Sequence, residues 1–180
     1  MSGVRRTEQI SVAVVSDTHG FIDPRIGELV AGCDIVVHAG DIGSAEVLGC
    51  LKPLSGQVFA VLGNNDVAAK WSTVERRWLG VIPSEQQFHL PGGSVSVEHG
   101  HRIWDTRRYH YRLRQKHPGA RAIIYGHTHV QIADTSSLPW VINPGAAGRI
   151  RSKGGPSCTV LYASLKKWRL EQHRFEVLPY

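Results

Sequence analysis

Apolar residues arrive in short unbroken runs along the first third of the chain. ISVAVV (10–15), DIVVHAG (34–40) and QVFAVLG (57–63) each read as a strand covered on both faces, the pattern of a parallel sheet flanked by helices. Two pieces between them read as helices. PRIGELVAG (24–32) begins with Pro24, and SAEVLGCLKPL (44–54) has Ser44 in the cap position. Strand, helix, strand, helix, strand implies parallel pairing through right-handed crossovers.

The second half changes style. QQFHL (86–90), a PGG turn and SVSVEHG (94–100) predict a hairpin, and residues 105–117 predict a helix with Asp105 as its cap. RAIIYG, HVQIAD, PWVIN, SCTVLYA and KWRLEQHRFEV follow as strands interrupted by Pro and Gly. Residues 148–157, GRIRSKGGPS, form the best candidate for a mobile loop, and no internal repeat is visible. The expected architecture is an α/β domain of two packed sheets with helices outside, occupying residues 1–180 as a single domain.

Composition narrows the class. With 180 residues and 42% hydrophobic content, the chain can bury its own core. No apolar run approaches the roughly 20 residues of a membrane span. The N-terminus carries Arg5 and Arg6 but no small-residue cleavage pattern, so it reads as the approach to a strand and not as a signal peptide. Cys33, Cys50 and Cys158 are odd in number and lack C-x-x-C spacing, which suggests a reduced, cytoplasmic protein without a cysteine metal site. The net charge of +6 is compatible with phosphate-bearing partners but does not define a function.

Polar, metal-competent residues follow the ends of five apolar runs. These are Asp17 and His19 in SDTHG; Asp41 in HAGD; Asn64, Asn65 and Asp66 in GNND; His99 and His101 in EHGH; and His127 and His129 in GHTH. The C-terminal edge of strands is where α/β proteins build sites. Residues i and i+2 of an extended chain point the same way, so Asp17 can act with His19, and His127 with His129. Each piece alone also reads as ordinary structure: a capping Asp, a type I′ turn, a solvated histidine pair. His38 reads as a buried structural histidine. Together, Asp17, His19, Asp41, Asn64, His99, His127 and His129 make seven donors, too many for one catalytic metal with an open position and suited to two.

The order D-x-H, G-D, G-N-x-D, H-G, G-H-x-H resembles the calcineurin-like metallophosphoesterase superfamily, and its small bacterial and archaeal phosphodiesterase branch in particular. INPG (142–145) extends the likeness. The resemblance implies a four-layer αββα sandwich of two mixed β-sheets flanked by helices. It also implies two divalent metal ions per chain, manganese first, with nickel, iron, zinc or magnesium as alternatives. Asp17, His19, Asp41 and His129 would hold one ion, and Asp41, Asn64, His99 and His127 the other. Asp41, Asn64 and His99 are the expected catalytic residues. Asn65, Asp66 and His101 would support the site or meet substrate, with Asp66 orienting Asn65 or His99.

The implied activity is hydrolysis of small nucleotide-like or aryl phosphodiesters by a metal-bridging hydroxide. Many members carry a histidine where this chain has Asn65, and a carboxamide is not a general acid at pH 7. Alternatives are a nuclease, a phosphomonoesterase, or an interaction scaffold like the retromer subunit of the same fold. The expected partner is a small phosphate ester, with nucleic acid less favoured, no membrane, and self-association left open. The segment 105–121 sets Arg107, Arg108, Arg112, Arg114, Lys116 and Arg121 around Tyr109, Tyr111 and Leu113. It reads either as an anion-gripping surface or as a solvated helix face.

Overall fold

A computed structural model describes residues 9–149 and 151–177. Arg5 and Arg6 at the N-terminus, and Ile150 within the 148–157 loop, lie outside the described residues. Ten strands form two five-stranded sheets. The first contains β1 (Ile10–Val15), β2 (Ile35–His38), β3 (Gln57–Ala60), β9 (Ser157–Ala163) and β10 (Trp168–Arg174), in the order β10-β9-β1-β2-β3. The second contains β4 (Glu85–Leu90), β5 (Gly93–Glu98), β6 (Ala122–Ile124), β7 (Gln131–Asp134) and β8 (Trp140–Pro144), in the order β4-β5-β6-β8-β7. Both are mixed. β1, β2 and β3 pair in parallel, as do β5, β6 and β8, while β9, β10, β4 and β7 join antiparallel.

The solid apolar runs have the predicted cause. On β1, Val12 and Val14 face the second sheet and pack with Val97, Ile124 and Ile142. Ala13 and Val15 face the other way, onto Ile26 and Val30 of helix α1 (Pro24–Ala31). Helix α3 (Tyr109–Lys116) covers the outer face of the second sheet, where Leu113 packs with Ile123 and Val141. Helix α2 (Ala45–Cys50) joins α1 on the outer face of the first sheet. The result is helix, sheet, sheet, helix.

The helix starts differ from expectation in instructive ways. Asp23 caps α1, accepting from the Arg25 N–H at 3.0 Å, with Pro24 just inside. Ser44 makes no side-chain capping bond to α2; the Ala45 N–H goes instead to Glu75 Oε1 at 2.8 Å, a residue 30 positions away. Asp105 caps nothing, because a 3₁₀ turn over Thr106–Arg108 separates it from α3. The strands also end earlier than their apolar runs. Ala39, Ile42 and Val61 are buried in loops beyond β2 and β3, and these loop residues carry the chain into the site.

Candidate metal centre

Loops leaving β1, β2, β3, β5 and β6 meet at one edge of the sandwich. The Asp17 N–H donates to Gly40 O, and the His19 N–H donates to Asp41 O, so the first two loops are zipped together by backbone. The His127 N–H donates to Asp17 Oδ2 at 3.1 Å, tying in the loop after β6. Asn143 secures that loop from beneath. Its carboxamide donates to Gly126 O and Thr128 Oγ1 and accepts from the Gly145 N–H. The structural role of INPG is therefore to hold GHTH.

Side-chain convergence does not arise from the i, i+2 alternation of an extended chain. Asp17, His19, Asp41, His127 and His129 all have positive φ, between 48° and 66°. Among the described non-glycine residues only Arg151 shares that conformation. Left-handed backbone is disfavoured for side chains with a Cβ and concentrates at functional sites. Here these five left-handed residues are all among the candidate donors. Two glycines give the loops room. A Cβ on Gly63 would overlap Asp41 Oδ1, and one on Gly126 would overlap Ser16 Oγ.

Donor atoms of Asp17, His19, Asp41 and His129 lie within 4.8 Å of one another. His129 Nε2 is 3.2 Å from Asp17 Oδ1 and 3.3 Å from His19 Nε2, and His19 Nε2 is 3.8 Å from Asp41 Oδ2. His99 Nε2 lies 3.4 Å from Asp41 Oδ2 and 4.0 Å from Asp17 Oδ1. His127 Nδ1 meets Asn64 Oδ1 at 3.1 Å, and the His99 and His127 rings are 5.3 Å apart. Asp17, Asp41, His99 and His129 are buried, whereas Asn64 and His127 form an exposed rim.

The donor set fits a transition metal. Among the described residues neither carboxylate has a lysine or arginine partner; both face histidines. Asp17 Oδ1 and His99 Nε2 are buried without a hydrogen-bond partner. His99 Nδ1 lies 2.8 Å from Ala39 O, which holds the proton on Nδ1 and leaves Nε2 free to ligate, as metal-bound histidines are usually arranged. Burial raises the Asp41 carboxyl, but the His99 contact and two bonds from Asn65 outweigh it and hold it well below the usual range. Burial lowers His99, and the facing Asp41 and Asp17 carboxylates reverse that to a net rise. His19 and His127 are lowered chiefly by burial.

Asn65, Asp66 and His101 all lie in or beside the loops of the cluster, and only the partners of Asp66 differ from those expected. Asp66 touches neither Asn65 nor His99 with its side chain. Its Oδ2 accepts from the N–H groups of Ile42 and Gly63, and its Oδ1 from Gly43 N–H and Trp71 Nε1. It pins the Asp41 loop to the β3 loop. Asn65 instead grips Asp41 directly, and its Oδ1 accepts from Lys70 Nζ. Lys70 carried no recognisable signal in sequence. His101 lies with its ring 5.5 Å from that of His99, half-buried beside the cluster. His38 is a buried structural histidine: Gly40 N–H donates to Nδ1, and Nε2 meets Thr18 Oγ1 at 2.8 Å.

Among known proteins, the chain is 30% identical over 142 residues to a probable metallophosphoesterase of Mycoplasma pneumoniae, covering 75% of this chain and 77% of that protein. It is 26% identical over 169 residues to a phosphodiesterase of Methanocaldococcus jannaschii, covering 89% of this chain and 97% of that one. In fold it is similar to Vacuolar Protein Sorting 29 from Cryptosporidium parvum, with a TM-score of 0.69 and 18% identity over 94% of this chain and 99% of the other. No helix among the described residues is long and apolar enough to cross a membrane. Residues 10–166 match the calcineurin-like phosphoesterase superfamily domain, and the chain belongs to that superfamily.

Proposed function

We propose that this protein hydrolyses phosphodiester bonds of small nucleotide-like or aryl substrates with two divalent metal ions, manganese first among them. The observation that carries the reading is the convergence of Asp17, His19, Asp41 and His129 around one point. The phosphodiesterase relative in Methanocaldococcus jannaschii supports the diester assignment. Asp17, His19, Asp41 and His129 would hold one ion. Asp41, Asn64, His99 and His127 would hold the other, with Asp41 shared. The whole chain acts as one domain in this reading, and its free cysteines suit the cytoplasm.

When bound, the ions supply positive charge that offsets charge on the phosphoryl oxygens and acidifies water. The chain's own residues prepare the rest. Ala39 O fixes the His99 tautomer, so its Nε2 faces Asp41 and Asp17. Asn65 keeps Asp41 from rotating by holding both its oxygens. Burial of Asp17 and Asp41 keeps bulk water from screening these interactions. In the reaction a water oxygen bonds to phosphorus, the ester P–O bond breaks, and the departing oxygen takes a proton. Asn65 cannot release that proton at pH 7, so diesters with good leaving groups suit the site better than alkyl monoesters.

The test is a panel of phosphodiesters and phosphomonoesters on protein stripped by a chelator and reloaded with manganese, alongside elemental analysis. Two ions per chain and turnover of bis(p-nitrophenyl) phosphate are expected. No diester turnover at saturating manganese would overturn the activity, and a single bound ion would overturn the two-metal assignment.

A further inference from the structure

A groove of about 770 Å³ adjoins the donor cluster, with His127 in its lining. The 3₁₀ turn and the first turn of α3 form part of its wall, contributing Arg107, Arg108 and Tyr111, while Ile132 and Lys153 come from elsewhere in the chain. The structure sorts the basic residues of 105–121 into two groups. Arg112 lies 3.7 Å from Asp105, Arg114 pairs with Asp134 at 2.9 Å, and Lys116 bonds both Glu85 and Glu98. Arg121 donates to Gly92 O and stacks on Trp168. Arg114, Lys116 and Arg121 are thus bonded into the fold, and Arg112 faces Asp105 and the Trp104 ring without a hydrogen bond from its Nε. The side chains of Arg107, Arg108 and Lys153 have no acidic partner among the described residues, and all three line the groove.

Unpaired cations on the wall of a cleft create a field that favours an anion there. Arginine offers phosphate two parallel donors, and a tyrosine ring offers a flat apolar face for a base or sugar. We propose that this groove binds a second phosphate carried on the nucleoside arm of the substrate, so that the preferred ester is a nucleotide diester bearing a further phosphate. The inference rests on the phosphodiesterase reading for the position of the scissile phosphate at the donor cluster.

Two p-nitrophenyl esters of thymidine 5′-phosphate test it, one with a 3′-phosphate and one without. They share the scissile bond and the leaving group. The manganese-loaded protein is expected to favour the 3′-phosphorylated ester by about tenfold in kcat/KM, chiefly through KM. In Arg107→Gln/Arg108→Gln the ratio is expected to fall close to one, and in Arg112→Gln it is expected to persist. A second readout needs no metal: calorimetric titration of chelator-treated protein with thymidine 3′,5′-bisphosphate, whose binding should weaken about tenfold in the double variant and with added salt. Hydrolysis of both esters at equal efficiency by the unaltered protein would overturn the inference and leave the phosphodiesterase reading standing. If neither ester is hydrolysed, the phosphodiesterase reading fails, and the metal-free titration decides the groove: binding that the double variant loses supports it, and no binding overturns it.

Discussion

Asn65 holds both carboxylate oxygens of Asp41: its backbone N–H donates to Oδ1 at 2.8 Å and its carboxamide donates to Oδ2 at 2.7 Å. This geometry gives the asparagine a task beyond the missing histidine. It sets the rotation of a carboxylate in the donor cluster.

Removing the carboxamide should therefore loosen metal binding more than it loosens the fold. Asn65→Ala keeps the backbone bond and loses the side-chain one. Metal affinity is expected to fall by roughly 10–100-fold, the usual loss when a ligand's hydrogen-bond partner is removed. Metal-free stability is expected to change by less than about 1 kcal/mol, because Asn65 is only half-buried. Calorimetric manganese titration and urea unfolding measure the two quantities separately. Unchanged metal affinity would show that Asp41 is oriented without it.

Gly63 makes a steric prediction on the same carboxylate. A Cβ there would overlap Asp41 Oδ1 and the Asp41 backbone nitrogen, so Gly63→Ala must displace the Asp41 loop. Metal binding is expected to drop by about 100-fold, the upper end of the loss seen when a ligand's support is removed. Gly27→Ala in α1 is the matched control, since a Cβ there meets nothing within 4 Å. It should be neutral or stabilising by up to about 1 kcal/mol. Equal metal affinities in the two variants would contradict the close packing of the loops.

Asp66 anchors two loops through four N–H donors, and a carboxamide cannot accept all of them. Asp66→Asn turns an NH2 group toward two of these donors. A loss of roughly 3 kcal/mol is expected, as is typical of buried donors left unpaired. For a chain of this length that is a fall of about 10 °C in melting temperature. Calorimetry on metal-free protein checks it, and a shift under about 2 °C would show that the loops hold without this clamp.

His38 predicts acid sensitivity. Burial lowers its pKa from 6.5 to about 4, against the pull of nearby Asp66. Between those values the unfolded chain binds a proton that the folded protein refuses. Stability therefore falls as pH falls, by about 1.4 kcal/mol per pH unit from this residue. His38→Gln should be less stable near pH 7, because buried bonds to Thr18 and Gly40 are disturbed. Its stability should also decline less steeply from pH 6.5 toward 4. Urea unfolding across that range compares the slopes, and identical slopes would show that His38 takes up a proton without unfolding.

Local pattern was enough to locate the strands, although β2 and β3 stop before their apolar runs do. The run Ile10–Val15 is apolar on both faces because one face meets the second sheet and the other meets α1, and a doubly covered strand has no polar positions to alternate. The candidate donors were legible for a related reason. Asp17, Asp41, His99, His127 and His129 each lie within a few residues after an apolar run, so chain order alone places them near strand ends.

What chain order could not reveal depends on contacts between distant residues. Asp66 meets Ile42 only because β3 lies beside β2, and Glu75 reaches Ala45 only once the intervening chain has folded back. The left-handed turns at the donors are likewise a tertiary result. An aspartate or histidine leaves the extended region only where neighbouring loops offer enough bonds to offset the strain, such as Asp17 N–H to Gly40 O. The charges of 105–121 follow the same rule. Arg107 and Arg114 look alike in sequence, but the fold sets Asp134 beside one and an open groove beside the other. Hydrophobic periodicity is a property of the chain, whereas the partner of a charge is a property of the packed molecule.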